Sequence, residues 1–243
     1  MLSEMLINRV DINMYNARLQ NYSVSGTALT HNLSTVNNLL RMPSLFSTMY
    51  GTRTLTITLT FRPVQHGSDS RGMSVIEKLS TAAENITRFE SEIIGRNVEI
   101  TLPDGYIYTS LVTTISAATF DSSGEHDVTY TFSAIRHSAK DVQEVNPNCK
   151  VFCKSTTKTP VKFVVTVPVT SNSLTIYGIT VNNITANAEL IIDGINGIVT
   201  MNGTNKLLDT DLVDFPYLNP GYNVISCSDS SASIKVIYTP IYV

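Results

Sequence analysis

The chain of 243 residues contains no tryptophan and few charged residues. Charged side chains account for 15% of the sequence, against the roughly one quarter that is usual for globular domains. The net charge is −3 and Lys and Arg form no run, so the sequence lacks the basic field that nucleic acids or acidic membranes attract. We therefore expect no nucleic-acid recognition. A surface rich in Ser, Thr and Asn suits a β protein, or a subunit that its neighbours cover.

The sequence also shows no pattern of a transmembrane helix or of a secretory signal peptide. No apolar run approaches the length of about 18 residues that a transmembrane helix needs, so we expect no membrane insertion. The opening segment MLSEMLINRVDIN lacks the basic and then apolar regions of a secretory signal peptide. The cysteines, Cys149, Cys153 and Cys227, are too few for a disulfide scaffold, and no second pair or nearby histidine completes a metal site. We expect free thiols in a reducing compartment.

Alternation of apolar and polar residues dominates the first half of the chain. In Thr54–Arg62 the apolar residues fall on one face and the threonines on the other, which predicts a half-buried strand. Val128–Ala134 repeats this pattern. The segments Asn97–Leu102 and Tyr106–Ile115 flank Pro103–Gly105, where Pro fixes φ and Gly takes a positive φ. They are predicted to form a hairpin.

One segment, Met73–Ile94, has the periodicity of a helix. Its apolar stripe comprises Val75, Ile76, Leu79, Ala83, Ile86, Phe89 and Ile93. Asp69 or Ser70 is placed to cap its start, and Gly95 stands where a C′ glycine belongs. We expect one amphipathic helix lying on a sheet.

The polar segment His137–Pro160 interrupts the pattern, and beyond it short predicted strands are separated by turn residues without any helical period. This succession predicts a β-sandwich. The fold class is therefore mainly β, with a first domain at residues 1–140 that contains a helix at about 73–94, a linker at 141–160 and a second domain at 161–243. The strands predicted for the second domain are Val161–Val169, Ser173–Tyr177, Glu189–Ile192, Gly197–Met201, Gly221–Ser226 and Ala232–Tyr238.

The stretch IIDGINGIVTMNG, Ile191–Gly203, carries three glycines next to short polar residues. Neither a Walker loop nor a dinucleotide-binding fingerprint has this spacing, and strand-like residues follow where both motifs require a helix. We interpret the stretch as two tight turns, Asp193–Gly197 and Asn202-Gly203, because Asn and Asp tolerate the left-handed conformation and Gly favours it.

The sequence shows no catalytic or metal-binding set. Asp209, Asp211 and Asp214 lie close together, which leaves a calcium site open, but the EF-hand pattern is absent and a solvated loop is the commoner explanation. The four histidines are scattered, and His126 is expected to be exposed in the turn Asp121–Asp127. We predict no catalytic residue, no metal, no cofactor and no enzymatic activity, while acid–base pairs that meet only in the fold stay open.

The C-terminal motifs resemble those of the siphophage distal tail proteins. That family shows an I-D-x-x-x-G-x-V-x-x-N-G hairpin, then F-P-x-L-x-P-G-x-N-x-I, then a strand with an aromatic residue and a proline. The matching residues are Ile192, Asp193, Gly197, Val199, Asn202, Gly203, Phe215, Pro216, Leu218, Pro220, Gly221, Asn223, Ile225, Tyr238 and Pro240. The first half is similar in its opening VDINMYNARLQNYSV and in its order of strand, helix and hairpin. The segment His137–Pro160 matches no motif of the family.

This resemblance implies a phage or prophage virion protein that is located at the tail tip and assembled in the bacterial cytoplasm. It implies N-terminal β-sandwich-like domains that form a ring, usually hexameric, around a channel, and a C-terminal galectin-like β-sandwich that projects outward. The implied partners are further copies of the chain, the tail tube protein, a tail-tip or tail-associated protein, and baseplate or receptor-binding proteins.

In such a ring we predict that the hairpin, or the edge of its sheet, contacts the next subunit. The residues assigned to this interface are Pro103, Asp104, Gly105, Ile107 and Leu111. A closed ring can pair sheet edges that are hazardous in a monomer. The rival hypothesis is a carbohydrate-binding module whose C-terminal sandwich recognises host-wall saccharide. A hydrolase is a third hypothesis, for which the sequence offers no acid–base pair.

Overall fold

The computed structural model describes residues 5–27, 29–34, 44–64 and 72–243; residues 29–34 and 44–50 are described by their backbone alone. The chain divides into two compact units, Met1–His137 with Val243, and Ser138–Tyr242. Each unit has its own hydrophobic core. The mainly β fold class predicted from the sequence is confirmed.

The described part of the first unit consists of strands, one α-helix and a 3-10 helix at Ile12–Tyr15. The elements are β1 (Leu6–Ile7), β2 (Val10–Asp11), β3 (Ala17–Val24), β4 (Leu29–Ser34), β5 (Ser44–Tyr50), β6 (Arg53–Phe61), α1 (Val75–Ile93), β7 (Val98–Thr101), β8 (Ile107–Ile115), β9 (Thr119–Phe120) and β10 (His126–His137).

The main sheet of the first unit is curled. Its strands pair antiparallel in the order β2-β1-β7-β8-β10-β6-β3, with β9 on β10 and β4 paired to β5. In a flat sheet β2 and β3 would lie roughly 29 Å apart. The chain between Asp11 and Ala17 reaches at most about 22 Å, and its 3-10 helix shortens that reach. The two ends of the sheet must therefore approach each other.

The strand β6 forms the centre of the first core, as its alternation predicted. Leu55, Ile57, Leu59 and Phe61 are fully buried. The predicted strand Val128–Ala134 lies within β10, whose inward residues stand opposite those of β6 in antiparallel register. The predicted hairpin is also present, since β7 pairs with β8.

The helix α1 is present, but its buried face differs from the predicted stripe. Val75 and Ile76 are 70% and 80% exposed, whereas the buried residues are Thr81, Ala82, Asn85, Phe89 and Ile93. The first buried residue is Thr81, nearly two turns after the start of the helix at Val75.

The caps of α1 were predicted correctly at one end. Ser74 caps the start through a capping box, in which the Ser74 hydroxyl accepts from Glu77 N and the Glu77 carboxylate accepts from Ser74 N. The predicted alternatives, Asp69 and Ser70, lie outside the described residues. Gly95 follows the helix with φ +74°, as a C′ glycine does.

The second unit is a β-sandwich with a 3-10 helix at Leu207–Asp209. Its strands are β11 (Asp141–Val145), β12 (Cys149–Cys153), β13 (Thr159–Thr166), β14 (Ser171–Ile176), β15 (Ile179–Ile184), β16 (Glu189–Asp193), β17 (Ile198–Met201), β18 (Thr204–Asn205), β19 (Tyr217–Leu218), β20 (Gly221–Ile225), β21 (Ser233–Tyr238) and β22 (Ile241–Tyr242). The larger sheet has the order β11-β21-β13-β16-β17-β18, and β12 pairs with β20 and β14 with β15. All six strands predicted for this part are present.

The segment 141–160, expected to be a linker, contains β11 and β12. The strand β11 pairs with β21 along its length, and β12 pairs with β20. Val151 and Cys153 are buried in the second core. Short strands with polar outward residues, such as Lys150, give a weak alternation, which is why the sequence alone did not indicate them.

Candidate assembly interface

The turn of the predicted hairpin is held rigidly by Asp104. Its carboxylate accepts hydrogen bonds from Tyr106 N at 3.0 Å and from the Tyr108 hydroxyl at 2.7 Å. Burial, together with the hydrogen bond to Asp104, raises the pKa of Tyr108 above its ordinary value. Gly105 has φ +81° and donates from its N–H to Leu102 O, as the PDG sequence predicted. The hairpin is therefore a fixed feature of the surface.

A groove of about 540 Å³ runs along β3 in the first unit. Its lining combines Pro103 of the hairpin turn with the 3-10 helix and the start of β3. Met5, Ile12 and Ala17 are buried beneath it. Two guanidinium groups, those of Arg18 and Arg62, stand at its exposed rim. The other lining residues are Asn13, Leu19, Gln20, Asn21 and Tyr22.

The groove lies beside an open sheet edge. Within the described residues, β3 pairs with β6 on one side and has no strand partner on the other. Its outer N–H and C=O groups can therefore accept a further strand.

A second open edge lies in the far half of β8. The strand β7 covers β8 only from Ile107 to Ser110, while β10 accompanies β8 to Ile115. Over Leu111–Ile115, the described part of the chain supplies no partner on the β7 side. Leu111, the first residue of this half, is 43% exposed. The strip from this half of β8 through β10 and β6 to β3 thus has an open edge on both sides.

The five residues predicted for the interface are placed in three different settings. Pro103 lines the groove, and Asp104 and Gly105 form the turn. Ile107 is half-buried and paired on both sides, with Thr101 and with His137, so it does not lie on an edge. Leu111 lies at the open half of β8. No pattern in the sequence indicated β3 as the other edge, because register and sheet order are tertiary properties.

In the second unit, the glycine-rich stretch forms the two predicted turns. The buried Asp193 carboxylate accepts from Ile195 N, Asn196 N and the Asn196 side chain, and lies 3.4 Å from Lys162 Nζ. Burial would raise the pKa of Asp193, but these hydrogen bonds outweigh it and hold the pKa below its ordinary value. Asn202 and Gly203, at φ +49° and +79°, close the hairpin between β17 and β18.

Gly194 has a different role from the one predicted. Its φ is not positive, and the left-handed glycine of this turn is Gly197, at φ +68°. A Cβ at Gly194 would collide with Pro216 O and lie 2.8 Å from Val161 O. The glycine is needed because two backbone segments pass against it.

The motif F-P-x-L-x-P-G-x-N-x-I is explained by contacts inside the second unit. The buried Asn223 accepts from Asn219 N and donates to Asn219 O and Gly221 O, which closes the turn before β20. Gly221 has φ +86°. Leu218 and Ile225 are fully buried. These residues specify the fold of the unit and are not arranged around a reacting group.

The other candidate residues have structural settings. Asp209 pairs with Lys206 Nζ at 2.6 Å, and Asp211 accepts from Thr180 N at 2.6 Å. In the described ranges, no three His, Cys, Asp or Glu side chains are grouped to hold a metal ion. Cys149, Cys153 and Cys227 are free thiols. No helix among the described residues is long and apolar enough to cross a membrane.

The prediction that His126 is exposed was wrong. It is the first residue of β10 and is buried, with Nδ1 3.2 Å from Gly124 O and the Phe120 ring centroid 5.9 Å away. The turn ends earlier than predicted because the Asp121 carboxylate accepts from Ser123 N and Glu125 N and closes the loop before His126.

Sequence reasoning also missed the role of Asn85. This helix residue is buried, and its side chain donates to Arg62 O and Val64 O and accepts from Asn16 Nδ2. It thereby fastens the segment after β6 to the helix. A polar residue inside the apolar stripe of α1 was the available signal.

Comparisons with known proteins give a family and a fold. The family described as the siphovirus-type tail component, C-terminal domain, matches residues 154–242. The SPP1 Dit protein, described as a paradigm of hub adsorption apparatus in Gram-positive infecting phages, is similar over 99% of both chains, with 11% identity and a TM-score of 0.75. A chain of the phage p2 baseplate in its activated conformation with Sr is similar over 93% of this chain and 92% of that one, with 10% identity and a TM-score of 0.41. No curated protein matches the sequence.

The matched residues 154–242 take in the glycine-rich turns and the F-P motif of the second unit. The similarity to SPP1 Dit adds the fold of the first unit, since it extends over both. Residues 154–242 therefore match the C-terminal domain of the siphovirus-type tail component family, and over both units the chain has the fold of the SPP1 Dit protein.

Proposed function

We propose that this chain is a structural, non-enzymatic protein of the siphophage tail tip that closes into a hexameric ring. The first unit forms the ring, and the ring joins the tail tube to the tail-tip and host-recognition proteins. The second unit, a galectin-like sandwich, carries attachment sites for baseplate or receptor-binding proteins. Assembly takes place in the bacterial cytoplasm before the ring is built into the virion. The family match and the fold over both units support this function.

The observation that carries the ring is the strip with two open edges. One edge is Leu111–Ile115 of β8 and the other is β3, with β10 and β6 between them. The two edges differ in sequence, so pairing one with the other on the next copy makes a head-to-tail contact. Such a heterologous contact produces a ring when its rotation closes.

The curl of the first sheet supplies a rotation between successive copies. A neighbour that continues a curled sheet is turned with respect to the first copy, and repeated turning returns to the start. Main-chain hydrogen bonds provide the adhesion, as in strand addition to a sheet edge. The groove beside β3, with Pro103 in its wall, receives side chains of the incoming strand.

The mass of the purified chain in solution tests the ring. Light scattering behind a sizing column, over a range of concentrations, should show a species near six times 26.7 kDa. Electron microscopy of that species should show a central channel. A monomer at every concentration, even in the presence of the tail tube protein, would contradict the proposal.

Leu111→Glu tests the edge itself. It places a carboxylate at each subunit contact, so each contact should weaken at least tenfold, about 1.4 kcal/mol, and the mass should fall towards 26.7 kDa. Val169→Glu is the matched control, because Val169 is 66% exposed in the second unit. A Leu111→Glu protein that folds and still forms rings would exclude this edge from the interface.

A further inference from the structure

The second unit contains a cavity of about 360 Å³ beside the segment that follows the 3-10 helix. One wall is the turn between β14 and β15, and the other is the segment Asp211–Tyr217. Both ends of this segment are fixed. Asp211 exchanges hydrogen bonds with Thr180 at 2.6 and 3.1 Å, and Pro216 O accepts from Val161 N at 3.2 Å. The cavity is therefore a preformed feature of the unit.

The lining is aromatic and aliphatic, with two carboxylates. Tyr177, Phe215 and Tyr217 contribute rings, and Asp211 and Asp214 contribute the charges. Hydrogen bonds from Thr180 lower the pKa of Asp211, so its carboxylate is ionised at neutral pH. The Asp214 carboxylate makes no hydrogen bond or ion pair within the described part of the chain.

The aromatic wall already attracts one cation. Lys158 Nζ lies 4.6 Å from the centroid of the Tyr217 ring. Among the described residues that line the cavity, Asp211 and Asp214 are the charged ones, and both are acidic. A second cation would find rings and a free carboxylate, the surroundings that stabilise Lys and Arg side chains at interfaces.

The rim of the cavity is apolar and highly exposed. Val213, which lines the cavity, is 93% exposed. The hydroxyl of Tyr177 is occupied, because it lies 3.2 Å from both Tyr217 O and Asn223 Oδ1. An aliphatic rim with one free carboxylate suits a peptide better than a saccharide, which needs several free hydrogen-bonding groups.

From this arrangement we infer that the cavity is a docking site for an extended segment of a neighbouring tail protein. The segment carries a lysine or arginine next to an aliphatic residue. The cation enters the cavity between the rings and Asp214, and the aliphatic residue covers Val213. This inference rests on the proposed function, in which the second unit carries neighbouring proteins, and it names where and by what chemistry they attach.

The test uses the full chain and two fluorescein-labelled six-residue peptides, one alternating Lys with Leu and the other Glu with Leu. Fluorescence anisotropy should show the basic peptide binding at least fivefold more tightly than the acidic one. Asp214→Asn should weaken the basic peptide about fivefold, as loss of an exposed ion pair does. Glu189→Gln is the matched control for charge, because Glu189 is exposed and does not line the cavity, and it should change the affinity less than about twofold.

The aliphatic rim has its own variant. Val213→Ser should also weaken the basic peptide, and Val169→Ser, an exposed valine away from the cavity, should leave it unchanged. An N-acetylglucosamine tetramer serves as the saccharide probe.

Equal binding of both peptides, no binding up to about 1 mM, or equal effects of Asp214→Asn and Glu189→Gln would overturn the inference. Binding of the saccharide in place of the basic peptide would overturn it in favour of a carbohydrate site. The mass of each variant is measured on the same samples. A ring that binds no peptide refutes the docking site alone, whereas a monomer that binds it refutes the ring alone.

Discussion

In the second unit, buried polar side chains fix the turns, whereas in the first unit the turns are fixed by exposed carboxylates, those of Asp104 and Asp121, and two sheet edges stay open. Asp193 and Asn223 each close a loop with three or more hydrogen bonds. In β6 and β10 of the first unit, the pattern requires only that every second residue be apolar. The family match covers residues 154–242 and leaves the first unit outside it, although the SPP1 Dit fold extends over both.

This comparison shows which structural features leave a recognisable motif in the sequence. A turn that depends on one carboxylate or one glycine admits few substitutions, so it leaves a motif. An alternating strand admits any apolar residue of suitable size, so the same fold can form from sequences that share no motif. The first unit is therefore recognised by its shape and the second by its residues.

Among the variants that test this comparison, Gly194→Ala should cause the largest loss of stability. The new methyl group would meet backbone oxygens that cannot move away, so we expect the second unit to lose roughly 3 kcal/mol. The first unit should keep its stability. Hydrogen exchange, read by mass spectrometry for each unit separately, measures both.

Gly26→Ala is the matched control, because a Cβ at Gly26 meets no atom within 4 Å and Gly26 does not have a positive φ. Equal effects of the two variants would show that the close approach at Gly194 is not what the turn depends on.

The next largest effect is expected at Asn85, a buried polar side chain of the first unit. Asn85→Ala would remove the side-chain donor to Arg62 O beneath the helix, while Val64 O would keep its hydrogen bond from Asn16 Nδ2. We expect a loss of roughly 2 kcal/mol in the free energy of unfolding. Urea denaturation of the variant measures it.

Glu84→Ala, an exposed change on the same helix, provides the reference for Asn85→Ala. If both variants unfold at the same urea concentration, the first unit does not depend on this buried asparagine, and the contrast with the second unit becomes sharper.

The smallest expected effect is the pH dependence of Asp193. Its pKa is lower in the folded than in the unfolded chain, so its contribution is present above the unfolded value of about 3.9 and is lost as the pH falls through the folded value. Asp193→Asn should cost about 1 kcal/mol at pH 7. The difference in the free energy of unfolding between wild type and variant should become smaller below about pH 4.

Urea titrations between neutral and acidic pH follow this difference, with Asp214→Asn as the control. A difference in the free energy of unfolding that stays constant across this pH range would mean that the charge of the Asp193 carboxylate does not contribute to stability.

The elements predicted from strong local signals were the most accurate. Thr54–Arg62, the PDG hairpin and the turn at Asn202-Gly203 are local, because the residues that form each of them are neighbours in the chain. The weakest predictions concerned residues whose setting depends on distant segments. His126 pairs with Phe61 of β6, and Asn85 bonds to backbone more than twenty residues away.

The candidate interface shows the same division. The sequence indicated the hairpin, and Pro103 and Leu111 lie at the groove and at an open edge. It could not indicate β3 as the opposite edge, since the order of strands follows from pairings between segments such as Ala17–Val24 and Arg53–Phe61. It also placed Ile107 with the interface residues, although pairing on both sides removes this residue from the edge.

Local sequence patterns were enough to predict the mainly β class, the positions of the helix and turns, and the motifs of the second unit, because periodicity, turn chemistry and capping act between residues close in the chain. Tertiary structure alone decided which strands end at open edges, which carboxylates are buried and where the cavity beside Asp214 lies. Those features depend on contacts between segments that are distant in the chain, and local sequence patterns do not specify which of these segments come into contact.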